Sequence, residues 1–284
     1  MRIFRTTFLL VALTLLLMFV GQIFGGRNGM TFALGIAICM NAFAYFFSDK
    51  IALASSGAQR VSREQVPRLY EVMERLAAKA RLPMPKLYVV PEAAPNAFAT
   101  GRNPQHASVA VTQGLLELMN DDELEGVIAH ELSHVRNYDI LISSIAATLA
   151  GAITWIAHWG PWFGAGDTDD NGNRGSGILG LLLMVLAPVG AFLLQLGLSR
   201  QREYSADETG ARMVGQPYGL ISALQKLGAY NQRIPTTSVS PSTAALCIVK
   251  PMFGGGGLSS LFSTHPPLEK RIQALREMTV TPQR

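Results

Sequence analysis

Residues 120–136 read NDDELEGVIAHELSHVR. This stretch predicts a helix in which ionisable side chains alternate with apolar ones. Asn120 or Asp121 is the expected N-terminal cap, because either side chain accepts a hydrogen bond from the exposed main-chain N–H groups. The acidic residues of the first turn suit the positive end of the helix dipole. Within this helix, His130 and His134 are four residues apart and therefore project from one face.

The order His130-Glu131-Leu132-Ser133-His134 indicates a metal site. Two imidazole nitrogens on one face can bind one zinc ion, while Glu131 lies beside the ion and remains free to accept a proton from the attacking water. The alternative is a surface helix with two unrelated histidines. A catalytic zinc site usually has three protein ligands, so a third ligand would favour the metal site.

Long apolar runs surround this helix. The chain has 284 residues, of which 49% are hydrophobic and 15% are charged, whereas a soluble domain carries about 25% charged residues. A membrane helix needs about 20 apolar residues, so we predict a membrane protein with about four transmembrane helices. The first run could instead be a cleaved signal peptide, but no clear cleavage site follows it. The four runs are residues 4–24, 30–47, 140–162 and 178–199.

The positive charges lie mainly beside these runs. The net charge is +4, and no basic stripe with aromatic residues favours nucleic acid. The positive-inside rule places both termini and the polar mass in the cytoplasm. Cys39 and Cys247 suggest neither a disulfide framework nor a cysteine-bound metal. The flanking basic residues are Arg2, Arg5, Lys50, Arg60, Arg63, Arg136, Arg200 and Arg202.

The polar sequence predicts an α+β domain, mostly helical with a small sheet. Thr112 is the expected cap of a short helix that runs to Met119. The segments 96–100 and 107–111 alternate like two strands around a turn. The other predicted elements are the strand 86–90 and the helices 67–81, 202–214, 217–230 and 268–278.

A third ligand must lie on the same side of the membrane as His130. If the third and fourth runs form a hairpin, the chain returns to that side at Arg200. Glu203 and Asp207 follow, four residues apart and on one face of a helix. Glu203 can complete a His-His-Glu set, and Asp207 can accept a hydrogen bond from the far nitrogen of a ligand histidine. The alternative is an ordinary solvated helix with balanced charges.

These motifs resemble the HtpX group of bacterial membrane zinc metalloproteases, which are related to the CAAX prenyl proteases. The resemblance rests on HELSH at 130–134 and SRQREYSAD at 199–207. It extends over nearly the whole chain, including the two leading apolar runs, PNAFATG at 95–101 and THPPLEKRI at 264–272.

The resemblance implies a multi-pass endopeptidase of the bacterial inner membrane that acts in protein quality control and the stress response. Its catalytic domain would be zincin-like and cytoplasmic, with one zinc ion per chain held by His130, His134 and Glu203. Glu131 would be the general base. The resemblance also places His265 near the site as a donor to the oxyanion, although His265 could simply precede the last helix. Arg271 is expected to be a structural ion-pair partner.

The domain organisation follows from these assignments. We expect an N-terminal transmembrane hairpin over residues 1–50 and the first half of the catalytic domain, with the His130 helix, over 51–138. A second hairpin would span 139–200, and the second half, with the third ligand, would span 201–284. Because six residues separate His134 from Ile140, the metal would lie on the order of 10 Å from the apolar boundary.

The substrates are expected to be polypeptides, mainly misfolded or damaged membrane proteins, cut at the cytoplasmic face. Residues Asn96, Ala97, Phe98 and Ala99 form a candidate edge strand to which a peptide could add through main-chain hydrogen bonds, or they form a plain sheet strand. One alternative function is a zinc protease with a dedicated membrane substrate. Another is a non-catalytic membrane scaffold with a structural zinc, which Glu131 argues against.

Overall fold

The computed structural model describes residues 2–145, 200–233, 248 and 266–278. Within these ranges the chain is mostly helical and contains one four-stranded sheet. The strands are β1 (Gln59–Arg60), β2 (Lys86–Val90), β3 (Ala97–Gly101) and β4 (Ala107–Thr112). The helices are α1 (Arg2–Ser55), α2 (Pro67–Ala80), α3 (Gln113–Leu118), α4 (Asp121–Arg136), α5 (Arg200–Val214), α6 (Tyr218–Arg233) and α7 (Leu268–Glu277).

Helix α1 is broken in its middle by Gly26. This residue has φ 58° and ψ −144°, a conformation that glycine adopts at little cost. The two halves pack against each other, since the side chain of Asn41 donates to the carbonyl of Leu10 at 3.3 Å and to the hydroxyl of Thr14 at 2.9 Å. The two halves therefore form a helical hairpin, and they contain the first two predicted apolar runs.

One helix in the described part of the chain, Gly25–Ser55, is long and apolar enough to cross a membrane. Large apolar side chains on it are exposed, such as Phe32, which is 72% exposed. The third and fourth predicted runs lie outside the described residues, apart from residues 140–145. The prediction of about four transmembrane helices is therefore not confirmed and stays a prediction.

The sheet has the strand order β1-β2-β4-β3. Strands β2 and β4 are parallel, while β3 pairs antiparallel with β4, with Phe98 opposite Ala110. The predicted strands at 86–90, 96–100 and 107–111 are confirmed within one residue at each end. The sequence did not predict β1, because two polar, exposed residues show no alternation. Strand β3 is an edge of this sheet.

The core lies between the sheet and the helices that cover one of its faces. Helix α4 is buried along most of its length and contacts α2, α5, α6 and strand β3. The other face of the sheet is covered by the end of α1, where Leu53 packs in a cluster with Phe98. Helix α4 therefore holds the histidine motif at the centre of the domain. Fully buried core residues include Leu69, Met73, Leu76, Val109, Val111, Leu124, Ile128 and Leu132.

Candidate metal centre

Helix α4 begins with a complete capping box. The Asn120 side chain accepts from the N–H of Glu123 at 2.9 Å, and the Glu123 carboxylate accepts from the N–H of Asn120 at 2.9 Å. Two main-chain donors that the helix itself cannot pair are thereby satisfied. The predicted cap at Asn120 is confirmed. The helix then runs to Arg136 and carries His130 and Glu131 into the interior, where they are 1% and 4% exposed.

Three side chains converge on one point beside this helix. The Nε2 atoms of His130 and His134 are 3.3 Å apart. The carboxylate oxygens of Glu203 lie 3.7 Å from His130 Nε2 and 3.6 Å from His134 Nε2. Ligand atoms at about 2.1 Å from a zinc ion in tetrahedral geometry are about 3.4 Å apart. The spacing of these atoms therefore fits a single zinc ion.

The donor set also suits a bound cation. Each histidine has its Nδ1 atom next to a carboxylate: His130 Nδ1 is 2.9 Å from Asp207, and His134 Nδ1 is 3.3 Å from Asp139. If Nδ1 donates its proton to the carboxylate, then Nε2 carries a lone pair. Two lone pairs and the Glu203 carboxylate then face each other in a buried site, an arrangement that a bound cation stabilises.

Glu203 and Asp207 are brought to α4 by helix α5, which crosses it closely. Both carboxylates are buried, at 5% and 2% exposure. Gly210 lies one turn further along α5, and a Cβ atom at this position would be only 3.0 Å from the main-chain nitrogen of His130. The absence of a side chain at Gly210 therefore lets the two helices approach closely enough for Glu203 to reach both histidines.

Asp207 connects His130 to the last helix. The guanidinium of Arg271 donates from Nε to Asp207 at 2.8 Å and from Nη2 at 2.7 Å. A third donation, from Nη1, reaches the carbonyl of Ile248 at 2.9 Å. Burial opposes the charge on Asp207, but Arg271 outweighs that effect and lowers the pKa of Asp207 below its usual range. Asp207 therefore stays ionised 2.9 Å from Nδ1 of His130.

Asp139 holds the corresponding position beside His134, a role that was not predicted from the sequence. Asp139 is 9% exposed and follows Tyr138, whose φ of 59° lies in the left-handed region. This reversal ends α4 and turns the next residue back towards the helix face. The sequence feature that could have indicated this role is a carboxylate five residues after His134 and directly before an apolar run.

The two histidines differ in their electrostatics. Burial lowers the pKa of His130, and Asp207 only partly offsets this effect. Burial also opposes the charge on His134, but Asp139, Glu203 and Glu131 outweigh it and raise the pKa of His134 to about 9. The negative charge around His134 thus holds a proton that a metal ion would have to displace.

Glu131 lies beside the three convergent side chains without being one of them. Burial raises the pKa of Glu131 to about 8, and Glu203 adds to this rise while His134 opposes it. The carboxylate also accepts a hydrogen bond from the main-chain N–H of Ala99 in strand β3. Glu131 is therefore positioned between the metal centre and the edge of the sheet.

Among the described residues, no strand pairs with β3 on the side that faces Glu131, although β3 itself is buried. The N–H of Thr112 donates to the carbonyl of Asn96 at 2.9 Å, so Asn96, Phe98 and Thr100 direct their main chains to β4. Ala97 and Ala99 direct theirs to the opposite side. At Gly101 this side is closed, because its N–H meets the hydroxyl of Ser144 at 3.4 Å.

The structure thus brings together most of the residues that the sequence singled out. His130, Glu131, His134, Glu203 and Asp207 form one buried cluster, and Asn96, Ala97, Phe98 and Ala99 lie at the strand end beside it. His265 lies outside the described residues, directly before Pro266. Arg271 pairs with Asp207, as expected for a structural ion-pair partner.

Comparison with known proteins agrees with this arrangement. The model of peptidase family M48 matches residues 63–279. A "Protease HtpX homolog" of Desulfatibacillum aliphaticivorans is 54% identical over 276 residues, which cover 95% of this chain and 88% of that protein. The proteins of the same name from Syntrophobacter fumaroxidans and Pyrococcus furiosus are 51% and 50% identical, and each alignment covers 97% of this chain and 99% and 96% of the relative.

A solved structure supports the fold. The crystal structure of S. mikatae Ste24p aligns with a TM-score of 0.53 at 18% sequence identity. The alignment covers 96% of this chain and 65% of that longer chain. At this identity the similarity is one of fold alone. The family match over most of the chain and the half-identical relatives confirm the resemblance found in the sequence, and the chain belongs to peptidase family M48.

Proposed function

We propose that the protein is a zinc-dependent endopeptidase of the membrane, with His130, His134 and Glu203 as the ligands of one zinc ion and Glu131 as the general base. The observation that carries this proposal is the convergence of the three ligand atoms in a buried site. Glu131 is buried beside them and is left out of the ligand set, as a catalytic site requires and a structural zinc site does not.

The chemistry divides between the metal and the chain. A bound zinc ion supplies Lewis acidity, which polarises the scissile carbonyl and lowers the pKa of the attacking water. Glu131 accepts the proton of that water and passes it to the leaving amine. Asp207 keeps His130 in the tautomer that presents Nε2 to the metal. We propose His265 as a donor to the oxyanion, on the basis of the family resemblance.

Strand β3 is the proposed binding edge for the substrate, through residues Asn96, Ala97, Phe98 and Ala99. The main-chain groups of Ala97 and the carbonyl of Ala99 point away from β4 and would pair with an extended peptide. Such pairing uses little side-chain identity, which suits varied substrates. At Gly101 the N–H meets the hydroxyl of Ser144, so we expect the peptide to pair near Ala97 and not at Gly101.

The proposed location is the cytoplasmic face of the bacterial inner membrane, where misfolded or damaged membrane proteins would be cut. Helix α4 is followed almost directly by residues 140–145, which begin the third predicted apolar run. The metal centre would therefore lie close to the membrane surface.

In a background without Cys39 and Cys247, a Glu117→Cys variant should react with a membrane-impermeant maleimide only after the cytoplasmic side is opened. Labelling of intact cells would refute this orientation.

The decisive test of the activity is Glu131→Gln in the full chain. We expect this variant to bind zinc like the wild type but to lose proteolysis of an unfolded membrane protein by several orders of magnitude. Glu117→Gln, which changes an exposed residue of α3, is the matched control and should remain active. Unchanged proteolysis by Glu131→Gln would refute the proposal and favour a membrane scaffold with a structural zinc.

A dedicated substrate is the second candidate within the same class. The proposed substrate pairing at the edge strand β3 favours broad recognition, because main-chain pairing does not select side chains. Cleavage of several unrelated membrane proteins by the purified enzyme, at sites without a shared sequence, would support the quality-control function. Cleavage of a single protein at a single site would support the dedicated protease.

A further inference from the structure

The side chain of Asp139 contacts a candidate metal ligand from outside the ligand set. Its Oδ2 atom lies 3.3 Å from Nδ1 of His134, the ring atom on the side away from His130 and Glu203. The carboxylate is nearly buried. A histidine that donates from Nδ1 to a carboxylate is fixed in one tautomer and orientation, and its Nε2 becomes a better ligand.

The second oxygen of Asp139 faces Arg202. Nη1 of Arg202 lies 3.8 Å from Oδ1 of Asp139, and both side chains are largely buried, at 14% and 12% exposure. Arg202 is the residue directly before Glu203 in α5. Asp139 is thus placed between His134 and the positive charge of Arg202.

These two residues occupy corresponding positions in the chain. Asp139 directly precedes the apolar run 140–162, and Arg202 lies three residues after the end of the apolar run 178–199. The pair Asp139–Arg202 therefore joins the residues directly before the third predicted run to those directly after the fourth. It does so in contact with His134, whereas His130 is held separately by Asp207 and Arg271.

We propose that Asp139 is a positioning residue for His134 and that Arg202 holds it in place, so that the residues flanking the third and fourth predicted apolar runs jointly orient this ligand. The inference rests on the proposed zinc site. It adds a second carboxylate–histidine pair to that formed by Asp207 and His130. Separation of Asp139 from Arg202 would then weaken metal binding through His134 first.

The test uses the full chain in detergent, with zinc affinity measured by competition with a chromogenic chelator. Asp139→Asn keeps the size of the side chain but removes its charge, and it should weaken zinc binding about 10–100-fold. Arg202→Gln should weaken it less, and the double variant should bind zinc no more weakly than Asp139→Asn alone. Arg212→Gln, which changes an exposed ion pair on the same helix, is the matched control.

The stability of the metal-free protein distinguishes a positioning role of Asp139 from a merely structural one. The metal-free Asp139→Asn protein should lose less free energy of unfolding than the variant loses in free energy of zinc binding, because the contact with Arg202, at 3.8 Å, is a long one. Asp139→Glu, which restores the charge, should recover part of the zinc affinity. Zinc binding by Asp139→Asn within twofold of the wild type would overturn the inference, as would a loss of affinity that is matched by an equal loss of metal-free stability.

The inference and the proposed function can fail separately. If the wild type binds zinc, Glu131→Gln is inactive and Asp139→Asn binds zinc as tightly as the wild type, then only the inference falls. If the wild type does not bind zinc at all, then the proposed function falls and the inference falls with it. Proteolysis assays of Asp139→Asn at saturating zinc should give nearly wild-type KM, because the substrate edge is unaltered.

Discussion

The guanidinium of Arg271 donates two parallel hydrogen bonds to the carboxylate of Asp207, at 2.8 and 2.7 Å. Both residues are almost completely buried, at 1% and 2% exposure. The pair joins the last helix of the chain to the helix that carries Glu203. Through Asp207, it also reaches Nδ1 of His130. A residue at the C-terminal end of the domain thereby supports the metal centre.

Removal of Arg271 should therefore destabilise the metal-free protein. Arg271→Met leaves Asp207 buried without a counter-charge, and the loss of one partner of a buried pair typically costs about 3–5 kcal/mol. Arg271→Lys keeps the charge but loses the two-pronged geometry, so its loss should be intermediate. The free energy of unfolding of each variant, measured by chemical denaturation in detergent, tests these two expectations.

The control for this prediction is Arg276→Met, which removes an exposed arginine of the same helix. It should leave the free energy of unfolding nearly unchanged. Equal stability of Arg271→Met and Arg276→Met would contradict a supporting role for the Arg271–Asp207 pair.

The contact between helices α4 and α6 leads to a second prediction. A Cβ atom on Gly126 would lie 2.5 Å from the main-chain nitrogen of Leu220 and 2.8 Å from its Cα. Gly126→Ala should therefore force the helices apart and cost about 1–3 kcal/mol, partly offset by the better helix propensity of alanine. Gly35→Ala, in a helix with open space around the glycine, should not destabilise the protein.

Zinc binding should depend on pH in a direction set by His134. Its pKa is raised to about 9, where burial opposes the charge but Asp139, Glu203 and Glu131 outweigh it. Below that pH the metal-free protein carries a proton on His134, and zinc must displace it. The apparent affinity should rise with pH, by up to about tenfold per unit, and level off near pH 9.

Competition titrations across this range test the dependence. His106→Gln, which changes an exposed histidine outside the site, should show the same pH profile as the wild type. An affinity that stays constant while the pH rises through the range would contradict the assignment of His134 as a ligand.

The sequence predicted the elements whose boundaries depend on local interactions. The caps at Asn120 and Thr112 are both present, because each side chain satisfies N–H groups only three residues away. The strand Lys86–Val90 has its predicted bounds. The i and i+4 spacing of the histidines also placed their rings together, since helix geometry alone determines it.

The parts that the sequence did not predict depend on contacts between distant residues or on unusual backbone geometry. Asp139 reaches His134 because Tyr138 adopts a left-handed conformation, and no side-chain pattern signals this reversal. The parallel pairing of β2 with β4 joins segments separated by a whole strand. An ion-pair role was expected for Arg271, but its partner was not predicted, because Asp207 is 64 residues away.

The buried carboxylate of Glu123 gives the last prediction. It accepts hydrogen bonds from Lys226 at 2.7 Å and from Ser222 at 2.6 Å, in addition to its role in the α4 capping box. Burial opposes its charge, but these donors outweigh that effect and lower the pKa of Glu123. A lowered pKa in the folded state means that ionised Glu123 stabilises the fold above its unfolded pKa of about 4.3.

Glu123→Gln should therefore reduce the free energy of unfolding by about 1 kcal/mol at neutral pH, the typical cost of a weakened cap. The difference between wild type and variant should shrink as the pH falls through the lowered pKa of Glu123, because protonation then removes the charge in the wild type as well. Denaturation curves at several pH values measure this difference. Glu117→Gln, at an exposed position, should match the wild type at neutral pH, and a Glu123→Gln deficit that grew towards acid pH would contradict the sign of the effect.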